Sequence, residues 1–123
     1  MTNIPSVLLI DDNVDTLAVL GEILIALGAQ RVRRTPSAEE ALKVLECETF
    51  SLIISDYRLE GMDGVQFVEQ LRKGGNRTPV MMLSGAPDKQ GIIRATSQER
   101  VDFFPKPFRI VELAGAMERL MAA

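Results

Sequence analysis

The sequence predicts an α/β fold, a doubly wound sheet of five parallel strands in the order 2-1-3-4-5, each strand followed by a helix. Three observations lead there. Strand-like and helix-like periods alternate five times along the chain. Two strands, Val7-Leu8-Leu9-Ile10 and Leu52-Ile53-Ile54, are unbroken apolar runs, as strands covered on both faces are. Right-handed crossovers with helices on both faces make the first and third strands neighbours, with the topological switch point between them. At 123 residues and 46% apolar content the chain suits one domain, 1–123, built round a single core.

The elements follow in order. The first strand is expected at about Ser6 to Asp11 and the first helix at about Asp15 to Leu27. Leu17, Leu20, Leu24 and Leu27 form that helix's inner stripe, Asp15 is a possible cap and Gly28 is its stop. Gln30 to Arg34 carries one apolar residue among three arginines, which suits an edge strand. Pro36-Ser37-Ala38-Glu39-Glu40 reads as a helix start, with Ser37 as N-cap and Glu40 at the capping-box position; Ala41, Leu42 and Leu45 face inward. Ser51 to Asp56 is the central strand. A turn-rich loop, in which Asp63 reads as a turn residue, leads to a third helix carrying Val65, Phe67, Val68 and Leu71 and ending near Gly74-Gly75.

Pro79 to Ser84 is the fourth strand, and Gly85-Ala86-Pro87 turns into a polar helix of about Asp88 to Thr96 with Ile92, Ile93 and Ala95 inward. Val101 to Phe104 is a short fifth strand. Ile110, Leu113, Ala114, Met117, Leu120 and Met121 form the stripe of the last helix.

Composition narrows the chemistry. Fourteen basic against 17 acidic residues give no field to hold a nucleic acid backbone. No apolar run approaches the ~20 residues that span a bilayer, so a soluble, cytoplasmic protein without membrane insertion is expected. The absence of histidine removes the usual general base and zinc ligand, and with them hydrolytic triads. One cysteine, Cys47, excludes an internal disulfide and is expected as buried packing on the second helix.

Asp11 and Asp12 close the first strand and Asp56 closes the third, so adjacency brings three carboxylates to one edge. Ionised pairs about 4 Å apart repel by ~4 kcal/mol at an effective dielectric near 20, so the cluster calls for a cation. Three carboxylates favour a hard ion such as Mg²⁺ or Mn²⁺. Ser84 and Lys106, at the ends of two further strands, suit the oxygens of a phosphoryl group. Singly, each residue has a plainer reading: an Asp pair caps a helix, a serine does the same, a lysine is solvated. The set, converging on one rim, favours metal plus phosphate.

These residues resemble the receiver domain of two-component response regulators, over essentially the whole chain and at the size of the single-domain, chemotaxis-type members. The likeness implies a flavodoxin-like (βα)₅ fold. It maps the family's acidic pair to Asp11-Asp12, the phospho-accepting aspartate to Asp56, the Thr/Ser to Ser84, the Lys-Pro to Lys106-Pro107 and the aromatic switch to Phe103, with Gly64 in the loop before the third helix.

By that resemblance Asp56 takes a phosphoryl group from a sensor histidine kinase or a histidine phosphotransfer protein. Mg²⁺ is held by Asp12, Asp56 and the Arg58 main-chain carbonyl, with Asp11 acting through water. The Lys106-Pro107 bond is commonly cis. Ser84 and Phe103 then remodel the surface of the fourth helix, fifth strand and fifth helix, where a downstream protein docks. Such a chain catalyses only its own phosphorylation and dephosphorylation.

Departures are equally specific. Thr96-Ser97-Gln98-Glu99-Arg100 replaces the usual Gly-Ala link, Phe103 lacks a tyrosine's hydroxyl, and prolines flank Lys106 on both sides. Arg58, two residues after Asp56, sits where phosphate lifetime is tuned. Alternatives are a degenerate receiver that only binds partners and a haloacid-dehalogenase-like phosphohydrolase, whose second acid would fall where Asn13 stands. An FMN binder would need Gly and hydroxyls in the acidic first loop.

Overall fold

In the computed structural model, which describes residues 4–85 and 89–122, backbone hydrogen bonding follows the alternation of the sequence. The elements are β1 (Ile4–Ile10), α1 (Val14–Ala26), β2 (Ala29–Thr35), α2 (Ala38–Cys47), β3 (Leu52–Asp56), α3 (Gly64–Lys73), β4 (Val80–Ser84), α4 (Lys89–Thr96), β5 (Val101–Pro105) and α5 (Ile110–Ala122). All pairings are parallel and the order is β2-β1-β3-β4-β5, as expected. Ala86, Pro87 and Asp88, assigned above to a turn and a helix start, lie outside the described residues.

The sheet divides the apolar interior into two layers by the two-residue period of its strands. Val7, Leu9, Leu52, Ile54, Met81 and Leu83 pack against α1 and α5, where Leu17, Leu20, Leu24, Leu113, Met117 and Leu120 lie. Leu8, Ile10, Ile53, Val80 and Met82 face the opposite way, onto Ala38, Ala41, Phe67, Val68, Leu71 and Ala95. Each fully buried Leu or Ile contributes roughly 1.5–3 kcal/mol. The fully apolar central strands therefore have their reason in two covered faces rather than one.

The edge position of β2 shows in its charges. Arg31, Arg33 and Arg34 are exposed while Val32 is half-buried. Glu48 pairs with Arg31 and, at 3.2 Å, with Arg33, and the Arg31 guanidinium lies 4.7 Å from the Phe50 ring centre. Gly28, at φ 107, ends α1 as expected.

Several local expectations are corrected. Cys47 is exposed, because it closes α2 beyond the face formed by Ala38 and Ala41. Leu42 and Leu45 are only half-buried. In α4, Gly91 and Ala95 are the buried pair and Ile93 is 65% exposed: two small residues four apart let this face lie close to its neighbours, which turns Ile93 outward. In α5 the stripe centres on Leu113, Ala116, Met117 and Leu120, and Ile110 in the first turn is half-exposed.

Caps differ as well. Asn13, not Asp15, caps α1, accepting from the Thr16 N–H at 3.0 Å. Ser37 caps α2, accepting from Glu40 N–H at 3.1 Å. The complete reciprocal capping box forms at α3, between Asp63 and Gln66, so Asp63 is more than a turn residue.

Candidate functional site

The carboxyl ends of β1 and β3, paired in register from Val7↔Leu52 to Ile10↔Ser55, bring Asp11, Asp12 and Asp56 together. One oxygen from each of the three carboxylates lies within 4.8 Å of the others. The local chain dictates how each is presented. The Asp11 N–H donates to the Thr35 carbonyl at 3.1 Å, which fixes the backbone where β1 ends beside β2. Asp11 is buried and its Oδ1 accepts from the Asn13 N–H at 2.9 Å, while Asp12 is exposed and Asp56 half-buried.

The electrostatics match this geometry. Burial raises the Asp11 pKa above its ordinary value of 3.8; the Asn13 N–H opposes the rise, and the nearby Asp56 charge adds to it. Lys106 supplies the opposing charge, its Nζ 3.4 Å from Asp56 Oδ1. The lysine follows β5, and its main-chain N–H donates to the Ser84 carbonyl at 2.7 Å, so the β4–β5 ladder carries it to the rim. The Lys106-Pro107 peptide is cis, as expected from the resemblance. Ser84, at the end of β4, is 1% exposed.

Asp11, Asp12, Asp56, Ser84 and Lys106 thus share one rim. Phe103 lies farther back on β5, paired with Met82, and meets the Tyr57 ring edge-on at 5.7 Å between centroids. The Arg58 side chain is exposed, with its guanidinium 6.0 Å from the Tyr57 ring centre. Gly64 is tied to the rim by close approach. Its N–H donates to the Tyr57 carbonyl at 3.0 Å, and a Cβ there would stand 2.9 Å from the Asp56 carbonyl oxygen.

Sequence reasoning missed two supporting groups. Asn13 both caps α1 and gives its N–H to Asp11; the Asp-x-Asn spacing, an Asx-turn signature, was the available signal. Glu39, in the first turn of α2, accepts from the Met62 N–H at 3.3 Å and so braces the loop after β3. No local pattern marks that long-range bond. A largely apolar groove of about 350 Å³, lined by residues including Thr16, Val19, Leu83 and Phe108, opens beside Lys106.

Three carboxylates whose oxygens gather closely enough to hold a metal ion, with the Lys106 ammonium beside Asp56 and the buried Ser84 on the adjoining strand, stand on the parallel sheet of an α/β domain of the receiver class. Residues 7–118 match the model of the response regulator receiver domain family. The chain is 27% identical over 119 residues to the probable chemotaxis protein CheY of Rhizobium etli, covering 95% of this chain and 92% of that one. It is 36% identical over 115 residues to the response regulator protein FleR of Pseudomonas aeruginosa, covering 92% of this chain but 24% of the relative. The receiver domain of a Francisella response regulator superposes with a TM-score of 0.84 at 26% identity, covering 96% and 97% of the two chains. This chain belongs to the response regulator receiver domain family, a family of two-component signalling.

Proposed function

We propose that the chain, as one receiver domain over residues 1–123, is a phosphoacceptor switch in which Asp56 is the residue phosphorylated. The observation that carries this reading is the placement of Lys106 Nζ 3.4 Å from Asp56 Oδ1, in a rim that also gathers Asp11 and Asp12. The donor is a phosphohistidine on a sensor kinase or phosphotransfer protein. An Asp56 carboxylate oxygen attacks phosphorus, the P–O bond forms as the P–N bond breaks, and the imidazole nitrogen leaves with the bonding pair, protonated as needed from solvent.

The all-oxygen donor set fits a hard divalent ion. Asp12, Asp56 and the Arg58 carbonyl would hold Mg²⁺, or Mn²⁺, with Asp11 acting through water; when bound, the ion supplies positive charge that offsets repulsion between the carboxylates and an incoming phosphoryl group.

The chain's own groups do the rest. Lys106 pairs with one phosphoryl oxygen. Ser84 donates a hydrogen bond to another, which draws the end of β4 inward, and Phe103 repacks against the space so made. Arg58, exposed beside Tyr57, screens the acyl phosphate and sets its lifetime. The output is a changed α4–β5–α5 surface that a downstream protein reads in the cytoplasm.

The nature of the bond tests this function. Phosphoramidate, a small donor with a P–N bond, together with Mg²⁺ should add a phosphoryl group that neutral hydroxylamine removes, as it does from an acyl phosphate. A hydroxylamine-resistant adduct would place the group on a hydroxyl and defeat the reading.

A further inference from the structure

The α4–β5 link, Thr96-Ser97-Gln98-Glu99-Arg100, lies at the end of the sheet opposite the acidic rim. The helix it follows has little apolar hold: its buried residues are Gly91 and Ala95, and its pair to α3, Arg94 with Glu69, is half-exposed at 3.6 Å. Arg100 has φ 57, a left-handed conformation that a residue with a side chain keeps only where its surroundings enforce it.

The enforcing group stands on α3. Arg72 donates from Nε to the Glu99 carbonyl at 2.9 Å, from Nη1 to the Asn76 carbonyl at 3.0 Å and from Nη2 to the Arg100 carbonyl at 3.4 Å. One planar fork thereby ties the loop after α3 to the link after α4, a task for which a lysine ammonium has the wrong shape. The tie runs into the sheet, because the Arg100 carbonyl also accepts from the Val80 N–H at 2.9 Å where β4 begins. Around it, Arg77 pairs with Glu99, and Arg100 Nη1 donates to the Arg77 carbonyl at 3.3 Å. Burial and then Arg100 lower the Arg72 pKa from its ordinary value, with Glu99 opposing; carbonyl dipoles on three sides compensate the crowded charge.

We propose that Arg72 is the fixed pivot of the switch, holding the C-terminal end of α4 and the start of β5 in one place in both states, so that within α4 and β5 the phosphorylation-dependent change is confined to the Ser84 end of α4 and to Phe103. This rests on the phosphoacceptor reading above. An eight-residue helix is about 12 Å long, so a displacement at its Ser84 end becomes a tilt about the pinned end. Arg72 touches none of the reacting groups and acts as a positioning residue.

Hydrogen exchange read by mass spectrometry tests it, with and without acetyl phosphate and Mg²⁺, on the wild type, Arg72→Met and Arg72→Lys. In the wild type, peptides spanning residues 96–101 should exchange at the same rate in both states, within twofold, while peptides containing Ser84 and Phe103 change. In Arg72→Met the 96–101 peptides should exchange at least tenfold faster in both states with Asp56 still phosphorylated, and Arg72→Lys should fall between. Should Arg72→Met not fold, Arg72→Lys carries the comparison, with at least threefold faster exchange expected. The pivot is overturned if the wild-type link changes on phosphorylation as much as the Ser84 peptides do, or if neither variant speeds its exchange. Absence of any adduct on the intact protein would instead overturn the phosphoacceptor reading, and the pivot with it.

Discussion

Lys106 reaches from the end of β5, past the intervening β4, to set its ammonium 3.4 Å from Asp56 Oδ1 at the end of β3. The pair is only partly shielded, with side chains 30% and 16% exposed, so its contribution to stability is small while its position at the rim is what matters. Lys106→Met should change the urea-unfolding free energy by less than about 1 kcal/mol. Tyr57, next to Asp56 and the chain's only tyrosine in the absence of tryptophan, reports on the site. Its fluorescence change on phosphorylation should be lost in the variant. A variant that kept the full fluorescence response would remove Lys106 from the switch.

Asp11 binds its proton more tightly in the folded chain than in the unfolded one, chiefly because it is buried. In EDTA, stability contributed through this group is therefore lost as pH rises from about the ordinary carboxylate value through the raised folded value, and the full penalty stands above both. Asp11→Asn should flatten that fall and stabilise the metal-free protein at neutral pH by about 1 kcal/mol. Urea unfolding from about pH 3, roughly one unit below the ordinary carboxylate value, up to about pH 7, well above it, measures it. The same substitution should weaken Mg²⁺ binding, and Mg²⁺ should stabilise the wild type more than the variant.

Gly64 has the Asp56 main chain against it. A methyl group would press on the Asp56 carbonyl oxygen at 2.9 Å and on Tyr57 Cα and Met82 Sδ at 3.2 Å. Gly64→Ala should cost about 1–3 kcal/mol of stability by denaturant unfolding. It should also slow phosphorylation by displacing Asp56.

The structure shows which parts of this fold were legible in the chain. Strand order and the convergence of Asp11, Asp12 and Asp56 followed from the apolar runs and from crossover handedness, both consequences of local pattern and chirality. The burial of Cys47, Ile93 and Ile110 was misjudged because helical periodicity gives a stripe but not its width or where the neighbouring element stops. Glu39 on Met62 and Arg72 on Glu99 are bonds between distant segments, which no period in the sequence encodes. Asn13 carried a short-range signal that the acidic pair beside it overshadowed.

Phe103 is half-buried against Tyr57 and makes no polar contact through its ring. Phe103→Ala should destabilise the protein by about 1–3 kcal/mol, below the cost of emptying a fully buried site. Phosphorylation of Asp56 should persist while coupling to the α4–β5–α5 surface declines, seen as a smaller phosphorylation-dependent change in hydrogen exchange along α5.

Arg58 is exposed beside the rim. Arg58→Ala should change the half-life of the phosphorylated protein severalfold at unchanged stability, followed by loss of phosphate after donor removal. An unaltered half-life would show that the side chain plays no part in screening the acyl phosphate.

The central claim is that Asp56 is the acceptor. Intact-mass spectrometry after incubation with acetyl phosphate and Mg²⁺ tests it most directly. One added phosphoryl group on the wild type, absent without Mg²⁺ and absent in Asp56→Asn, is the predicted result; an adduct of equal yield in Asp56→Asn, or none on the wild type with any small donor, would contradict it.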